Sequence, residues 1–374
     1  MTGVYLDYNA TAPLRPEALE AVTRAYALGG NPSSIHAAGR AARALVEQAR
    51  DNIAALIGGP ASTVVFTSGG TEANALAVDS AVATGSRRLI LSAIEHDSVL
   101  ETAKVSGAAV EVLPVGADGR ADLAWLASRL ADWDASDGRP FVALMLANNE
   151  TGVIQPVREA AEIVRAADGW LHVDAIQAAG KIPTDSRAMG ADTLTVSAHK
   201  LGGPQGVGAL TFGPRATLVR RQHGGGQERG RRAGTENVPG IAGFGAAALA
   251  ALRDTNDQTP MRDATAASLK SLGAQVIAET SPRLPNTLCI AMPGYPSDLQ
   301  VMKLDLAGFM VSAGSACSSG KVKASHVLSA MGLGELAECA IRVSGGWGTT
   351  KDDWAAFADA WSEARHAARR APAA

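Results

Sequence analysis

Lys200 stands between an apolar run, Thr193-Leu-Thr-Val-Ser197, and a glycine turn, Gly202-Gly-Pro204. A lysine in the interior of an α/β protein is costly to bury unless it is used or paired. The exits of strands are also where reactive groups collect. Alone, Lys200 reads more readily as a solvated loop amine than as an amine that condenses with an aldehyde cofactor, since lysines are mostly exposed. Its neighbours narrow the choice. Asp174 closes the strand Trp170-Leu-His-Val-Asp174, and Gln177 follows it. Asn149 follows the apolar run Phe141–Leu146, and His96 follows Arg88-Leu-Ile-Leu-Ser92. Gly70 and Thr71 lie between the strand Thr63–Thr67 and an alanine-rich helix, an arrangement that presents backbone N–H groups to an anion. An aldehyde cofactor such as pyridoxal 5′-phosphate needs an amine for its carbon, a carboxylate for its ring nitrogen, donors for its phosphate and a planar group over its ring. The chain offers Lys200, then Asp174, then Thr71, Ser197 and His199, then His96. Asn149 and Gln177 are candidates for the phenolic oxygen. His172 and Asp174 also form a His-x-Asp pair, but no third metal ligand accompanies them, and His172 reads as a structural neighbour.

Positioning such groups takes a large, well-packed scaffold. The chain has 374 residues, 47% hydrophobic, enough for two domains. Its net charge of −3 asks for neither nucleic acid nor an anionic membrane as partner. No apolar run reaches membrane-spanning length, and the first residues lack the pattern of a secretory signal. Three cysteines, Cys289, Cys317 and Cys339, are too few and too irregular for a disulfide framework or a zinc site, so a reducing cytoplasm is expected. Five or six strands alternate with helices, and most end in polar residues. In an open α/β sheet ligands bind at the carboxyl ends of the strands. Helices are expected from Pro16 to about Leu28, over 35–57, and from Val157 to Ala167.

Beyond the sheet comes a glycine- and arginine-rich loop from Gly224 to Asn237, then an apolar helix from Val238 to Leu252. A helix from Pro260 to Leu272 opens a second, α+β unit with strands Thr287–Met292 and Ala340–Ser344 and a closing helix from Asp352. Cys317 lies among small residues, Gly314-Ser-Ala-Cys-Ser-Ser-Gly320, where a thiolate could be reachable on a chain free to swing. Cys289 and Cys339 lie in apolar stretches and read as inert core thiols.

In order along the chain stand Tyr5-Leu-Asp-Tyr-Asn-Ala-Thr11, Gly30-Asn-Pro-Ser-Ser34, Thr67-Ser-Gly-Gly-Thr-Glu72, Glu95-His96 and Asn148-Asn-Glu-Thr-Gly152. After them come His172-Val-Asp-Ala-Ile-Gln177, Ser197-Ala-His-Lys200, Gly224-Gly-Gly-Gln-Glu-Arg-Gly230, Arg232-Ala-Gly-Thr-Glu236, Gly314-Ser-Ala-Cys317 and Ile341-Arg-Val-Ser344. This ordered set, spanning nearly the whole chain, resembles the cysteine desulfurases of the NifS/IscS type, within the class V aminotransferase family of fold type I pyridoxal-phosphate enzymes. The resemblance implies an α/β fold with a large domain, 14–252, built on a mainly parallel seven-stranded sheet. It also implies a smaller α+β domain from 1–13 and 253–374 that carries the catalytic cysteine loop.

It further implies roles. Lys200 would form the Schiff base and move protons, Asp174 would pair the ring nitrogen, and His96 would stack on the ring and assist acid–base steps. Gly70, Thr71, Ser197 and His199 would hold the phosphate, with Thr235 supplied by the other subunit of a homodimer. Arg342 with Asn31 would grip the carboxylate of L-cysteine, an arginine fork suiting a carboxylate. Cys317 would take the substrate's sulfur as a persulfide, release alanine, and hand the sulfur to an acceptor protein such as an iron–sulfur scaffold. There it would also ligate a transient cluster; no permanent metal is expected. Ser325-His-Val-Leu328 resembles the longer-loop members of the family. The short end after the closing helix, Ala371-Pro-Ala-Ala374, leaves another acceptor open, such as a carrier for tRNA thiolation. A selenocysteine lyase or an aminotransferase of the same fold type would share Lys200 and Asp174 but would not need Cys317. A sulfur-relay scaffold with a structural or lost cofactor site would bind partners without turning cysteine over.

Overall fold

The structure, a computed structural model, describes residues 3–314 and 325–370, with side chains to 366. Seven strands form the central sheet in the order Val64–Thr67, Gly208–Phe212, Thr193–Ser197, Trp170–Asp174, Phe141–Ala143, Arg88–Ser92, Ala109–Leu113. The four strands Val64–Thr67, Phe141–Ala143, Trp170–Asp174 and Thr193–Ser197 are buried throughout, as their continuous apolar runs require of strands covered on both faces. All neighbours are parallel except at Gly208–Phe212, which runs antiparallel to both of its partners. The reason is local. Only residues 201–207 separate it from Thr193–Lys200, and a parallel return needs a crossover of about a dozen residues or more.

Helices cover the sheet. Ala37–Leu56 turns Ala42, Val46, Ala49 and Ile53 inward, and packs with Pro16–Leu28 and the small-residue helix Val238–Arg253. The helix Asp97–Val105 was not expected: its apolar spacing is short, and its start is set by a side-chain cap from His96, which accepts from the Ser98 N–H.

A second hydrophobic core gathers Leu6, Leu269, Leu288, Ile290, Ile341, Trp354, Phe357 and Trp361. It lies on a four-stranded antiparallel sheet in the order Ser312–Ala313, Ala340–Ser344, Thr287–Ala291, Gln275–Val276. Helices Thr259–Ser271, Ser297–Leu306 and Lys351–Arg370 pack against it. Its buried indoles are satisfied, Trp354 by Gln258 at 2.7 Å and Trp361 by Gln300 at 3.0 Å. The N-terminal segment belongs to this core. Val4–Tyr5 pairs in parallel with Phe309–Met310, and Asp7 bridges to Ser344. Cys289 and Cys339 are buried free thiols, Cys289 with its thiol pushed up to about 12 by burial. Among the described residues no helix is long and apolar enough to cross a membrane.

Candidate active site

The strands of the large sheet deliver their polar ends to one cavity of about 360 Å³. Gly70, Thr71, His96, Asn149, Asp174, Gln177, Ser197, His199, Lys200 and Arg342 all border it. No side chain caps the helix Gly70–Ala83, so its first amides are left for an anion. A Cβ at Gly70 would come within 2.3 Å of Ile176 Cδ1, so that side chain would have to move to admit one. Glu72 ties this turn down, accepting from the Ser68 N–H at 2.6 Å and pairing with Arg232 at 2.9 Å.

Lys200 ends the short turn Ala198–Lys200, and Gly202 follows at φ +83°, where a Cβ would meet Arg15 Cγ at 2.6 Å. The Lys200 amine donates to the carbonyls of Asn9 and Ala10, the latter at 2.8 Å. Beside it, burial and the Lys200 charge hold His199 down at about 4, so its imidazole is neutral.

Asp174 is held from two sides. Its Oδ1 accepts from the Ile176 N–H at 2.9 Å and its Oδ2 from Asn74 Nδ2 at 2.8 Å. Asn74, fully buried, also donates to Ser98 Oγ at 2.9 Å, and Ser98 Oγ lies 2.9 Å from His96 Nδ1. The Ser98 N–H points at the same Nδ1 from 3.0 Å, which makes that nitrogen the acceptor and places the His96 proton on Nε2. On its other side Asn74 Oδ1 accepts from Thr195 at 2.6 Å and from His172 Nε2 at 3.1 Å. Burial drives His172 down to about 3; it is a neutral anchor for Asn74, and the described residues hold no group of metal ligands. Below Asp174 lies Glu95, fully buried, pushed up to about 8 by burial and by the Asp174 charge. Its Oε1 accepts from the Met145 N–H at 2.6 Å and its Oε2 has no partner among the described residues.

Arg342 closes the far wall. Its Nη2 pairs with Asp7 at 2.7 Å and its Nη1 donates to the Asn149 carbonyl at 3.1 Å, while its buried Nε has no partner among the described residues. Glu150 borders the same wall; burial pushes its carboxyl up, and Ser325 Oγ donates to it at 2.5 Å. His326 also lines the cavity, with Nε2 at 3.1 Å from the Glu95 carbonyl.

Two expected residues stand elsewhere in the single chain. Thr235 is exposed on a separate depression with Ser68 and Arg232, and Asn31 is exposed, its side chain accepting from the Ser33 N–H. Neither borders the cavity of Lys200 and Arg342 within one chain. Cys317, and with it the expectation of a mobile loop, lies outside the described residues. Asn9, Asn74, Glu150 and His326 were not read from sequence as site residues. Only Asn74 carried a local signal, four residues after Gly70 on the same helix face.

The donor set suits one kind of ligand: an aldehyde opposite Lys200, a basic ring nitrogen opposite Asp174, and a phosphate at the uncapped turn that Gly70 leaves open. The chain belongs to the class-V aminotransferase family, whose model matches residues 4–357. It is 42% identical over 345 residues to a cysteine desulfurase of Cereibacter sphaeroides, covering 88% of this chain and 87% of that one. It is 39% identical to the cysteine desulfurase IscS of Dictyoglomus turgidum, covering 94% and 91%. The solved NifS-like protein of Rickettsia africae superposes with a TM-score of 0.87 at 33% identity, over 97% of this chain and 99% of that one.

Proposed function

We propose that the protein is a pyridoxal-phosphate-dependent cysteine desulfurase, converting L-cysteine to L-alanine and leaving a persulfide on Cys317. The observation that carries this is the convergence of Lys200, Asp174 and Arg342 on one cavity. Lys200 would hold the cofactor's aldehyde carbon and Asp174 its ring nitrogen, with Gly70, Thr71, Ser197 and His199 at the phosphate. When bound, the cofactor supplies an electron sink for bonds at the substrate's α-carbon. His96, with its proton on Nε2, is placed to stack and to move protons, and Asn149 and Gln177 to hold the phenolic oxygen. Arg342 Nε, buried and without a partner among the described residues, would be available to a carboxylate. The Cys317 thiolate takes the sulfur, and the carbon it leaves is reprotonated as alanine.

A homodimer fits two features. Thr235 and Asn31 do not border their own chain's cavity, and Ile35, 91% exposed, and Tyr26, 73% exposed, are large apolar residues left uncovered close to Asn31 in sequence. In this reading residues 14–252 form the large domain and 1–13 with 253–374 the small one. The sulfur passes in the cytoplasm to an acceptor protein, an iron–sulfur scaffold or another sulfur carrier. The test is alanine and sulfide release from L-cysteine under reductant, for the wild type and Cys317→Ala. Equal release of both, lost in the variant, is the expected result. Turnover that survives the substitution would place the chain with selenocysteine lyases or aminotransferases.

A further inference from the structure

The phosphate end of the cavity is bordered by neutral donors: the uncapped amides of Gly70 and Thr71, the Ser197 hydroxyl, and the His199 imidazole, which burial keeps neutral. Lys200 and Arg342 border the same cavity, but in the proposed function they serve the aldehyde and the substrate carboxylate. The formal charge nearest to Gly70 and Thr71 along the chain is an anion, Glu72. It is the third residue of the helix Gly70–Ala83. Its Oε2 reaches back past the N-cap, Gly69, to accept from the Ser68 N–H at 2.6 Å, much as in a capping box. That bond fixes the shape of the turn. It also puts a carboxylate on the turn that must receive a phosphate dianion, and like charges repel.

Arg232 stands against that carboxylate. Its Nε lies 2.9 Å from Glu72 Oε1 and its Nη2 3.2 Å from Oε2, a two-pronged pair with side chains only 22% and 21% exposed. Burial pulls the Glu72 carboxyl up, but the bonds from Arg232 and Ser68 outweigh it and hold the group below its usual range, so it stays charged. The loop that carries Arg232 is tied to the same strand and turn a second time. Glu228 Oε2 accepts from the Phe66 N–H at 2.9 Å, and Phe66 lies in Val64–Thr67, the strand that leads into the turn. The other carboxylates in the depression beside Arg232 are Glu228, matched by Arg50, and Glu236. We propose that Arg232 is a positioning residue for the cofactor's phosphate: it cancels the charge of Glu72, so that the carboxylate can brace the turn through Ser68 without repelling the dianion the turn receives. The proposal deepens the function proposed for the site and rests on Gly70 and Thr71 receiving the phosphate. A merely structural pair would serve every ligand of the cavity alike, whereas a charge-cancelling pair serves only a ligand that carries the phosphate.

The experiment uses the full chain as wild type, Arg232→Met, Glu72→Gln and the double variant, each stripped of cofactor. Each is titrated with pyridoxal 5′-phosphate and with pyridoxal, which lacks the phosphate, and binding is read from the visible absorbance. The titrations are run at about pH 8, where an unpaired glutamate is ionised. Arg232→Met is expected to bind pyridoxal phosphate about tenfold more weakly and pyridoxal as well as the wild type does. Glu72→Gln keeps an amide oxygen for the Ser68 N–H and should bind pyridoxal phosphate at least as tightly as the wild type. The double variant should return to within about threefold of the wild type, since the repelling charge is gone, whereas a loop merely loosened by losing Arg232 would stay loose. If Arg232→Met fails to fold by circular dichroism, Arg232→Gln removes the same charge and must show the same loss and the same rescue. Unchanged affinity for pyridoxal phosphate in the Arg232 variant, equal weakening of pyridoxal, or a double variant as weak as the Arg232 variant alone overturns the proposal. A wild-type chain that binds no pyridoxal phosphate overturns it together with the proposed function. One that binds the cofactor but releases no alanine from L-cysteine overturns the proposed function alone.

Discussion

Replacing Asn74 by Asp changes one atom type in a fully buried hub and should make the fold sensitive to pH. The Asn74 amide nitrogen lies 2.8 Å from Asp174 Oδ2 and 2.9 Å from Ser98 Oγ. An oxygen in its place meets another carboxylate oxygen, and the two can stay together only by sharing a proton. Two carboxylate centres about 4 Å apart at an effective dielectric of about 20 repel by about 4 kcal/mol, or about three pH units. The wild type already displays the effect at one remove, since Asp174 helps to push Glu95 up to about 8. In the variant the folded pair binds a proton that an unfolded Asp releases above about pH 3.9, so stability falls as pH rises. The expected loss relative to wild type is about 1.5 kcal/mol at pH 5 and about 4 kcal/mol or more at pH 8. Urea denaturation of the cofactor-free protein at the two pH values measures it. A loss that is the same at both would refute the account of Asn74 as a donor to Asp174.

Two further substitutions test other buried charges. Glu95→Gln cannot ionise. The wild-type carboxyl, raised from 4.5 to about 8, stabilises the fold while protonated and loses that contribution as pH climbs through this window, by at most about 5 kcal/mol. The variant should therefore hold its stability from pH 5 to 8 where the wild type declines; parallel denaturation curves would contradict the shift. Glu228→Ala removes two bonds, at 2.8 and 2.9 Å, from the buried Arg50 guanidinium, which keeps Glu47 and the Val64 carbonyl, and should cost about 3 kcal/mol. Glu228 and Arg229 hold positive φ at the base of the loop that carries Thr235, so weakened phosphate-cofactor retention should accompany the loss. Normal stability in denaturant would show the pair to be dispensable.

The residues at strand ends were legible in the sequence because the chemistry is local there. An apolar run followed by a polar stop marks Asp174, His96 and Lys200 without knowledge of the fold, and the sheet order then brings them together. The groups that hold those residues were not legible. Asn9 meets Lys200 across 191 positions and Asp7 meets Arg342 across 335, and no periodicity encodes such pairings. Arg232 stood within a motif, but its pairing with Glu72 across 160 positions was no more legible. Thr235 was recognisable from its motif, yet its place away from the cavity follows from the loop's path, which sequence does not determine.

Leu6 sits in the core formed by residues 266–361, and Asp7 and Asn9 brace Arg342 and Lys200. Asp7 is made 335 residues before its partner Arg342. The large sheet can assemble during synthesis, but the catalytic wall cannot close until the C-terminal strands exist to receive the N-terminal segment. Contacts of such sequence separation form slowly, since loop closure precedes any reward. Lys200 and Arg342 thus come to border one cavity only once the strand Ala340–Ser344 has been made.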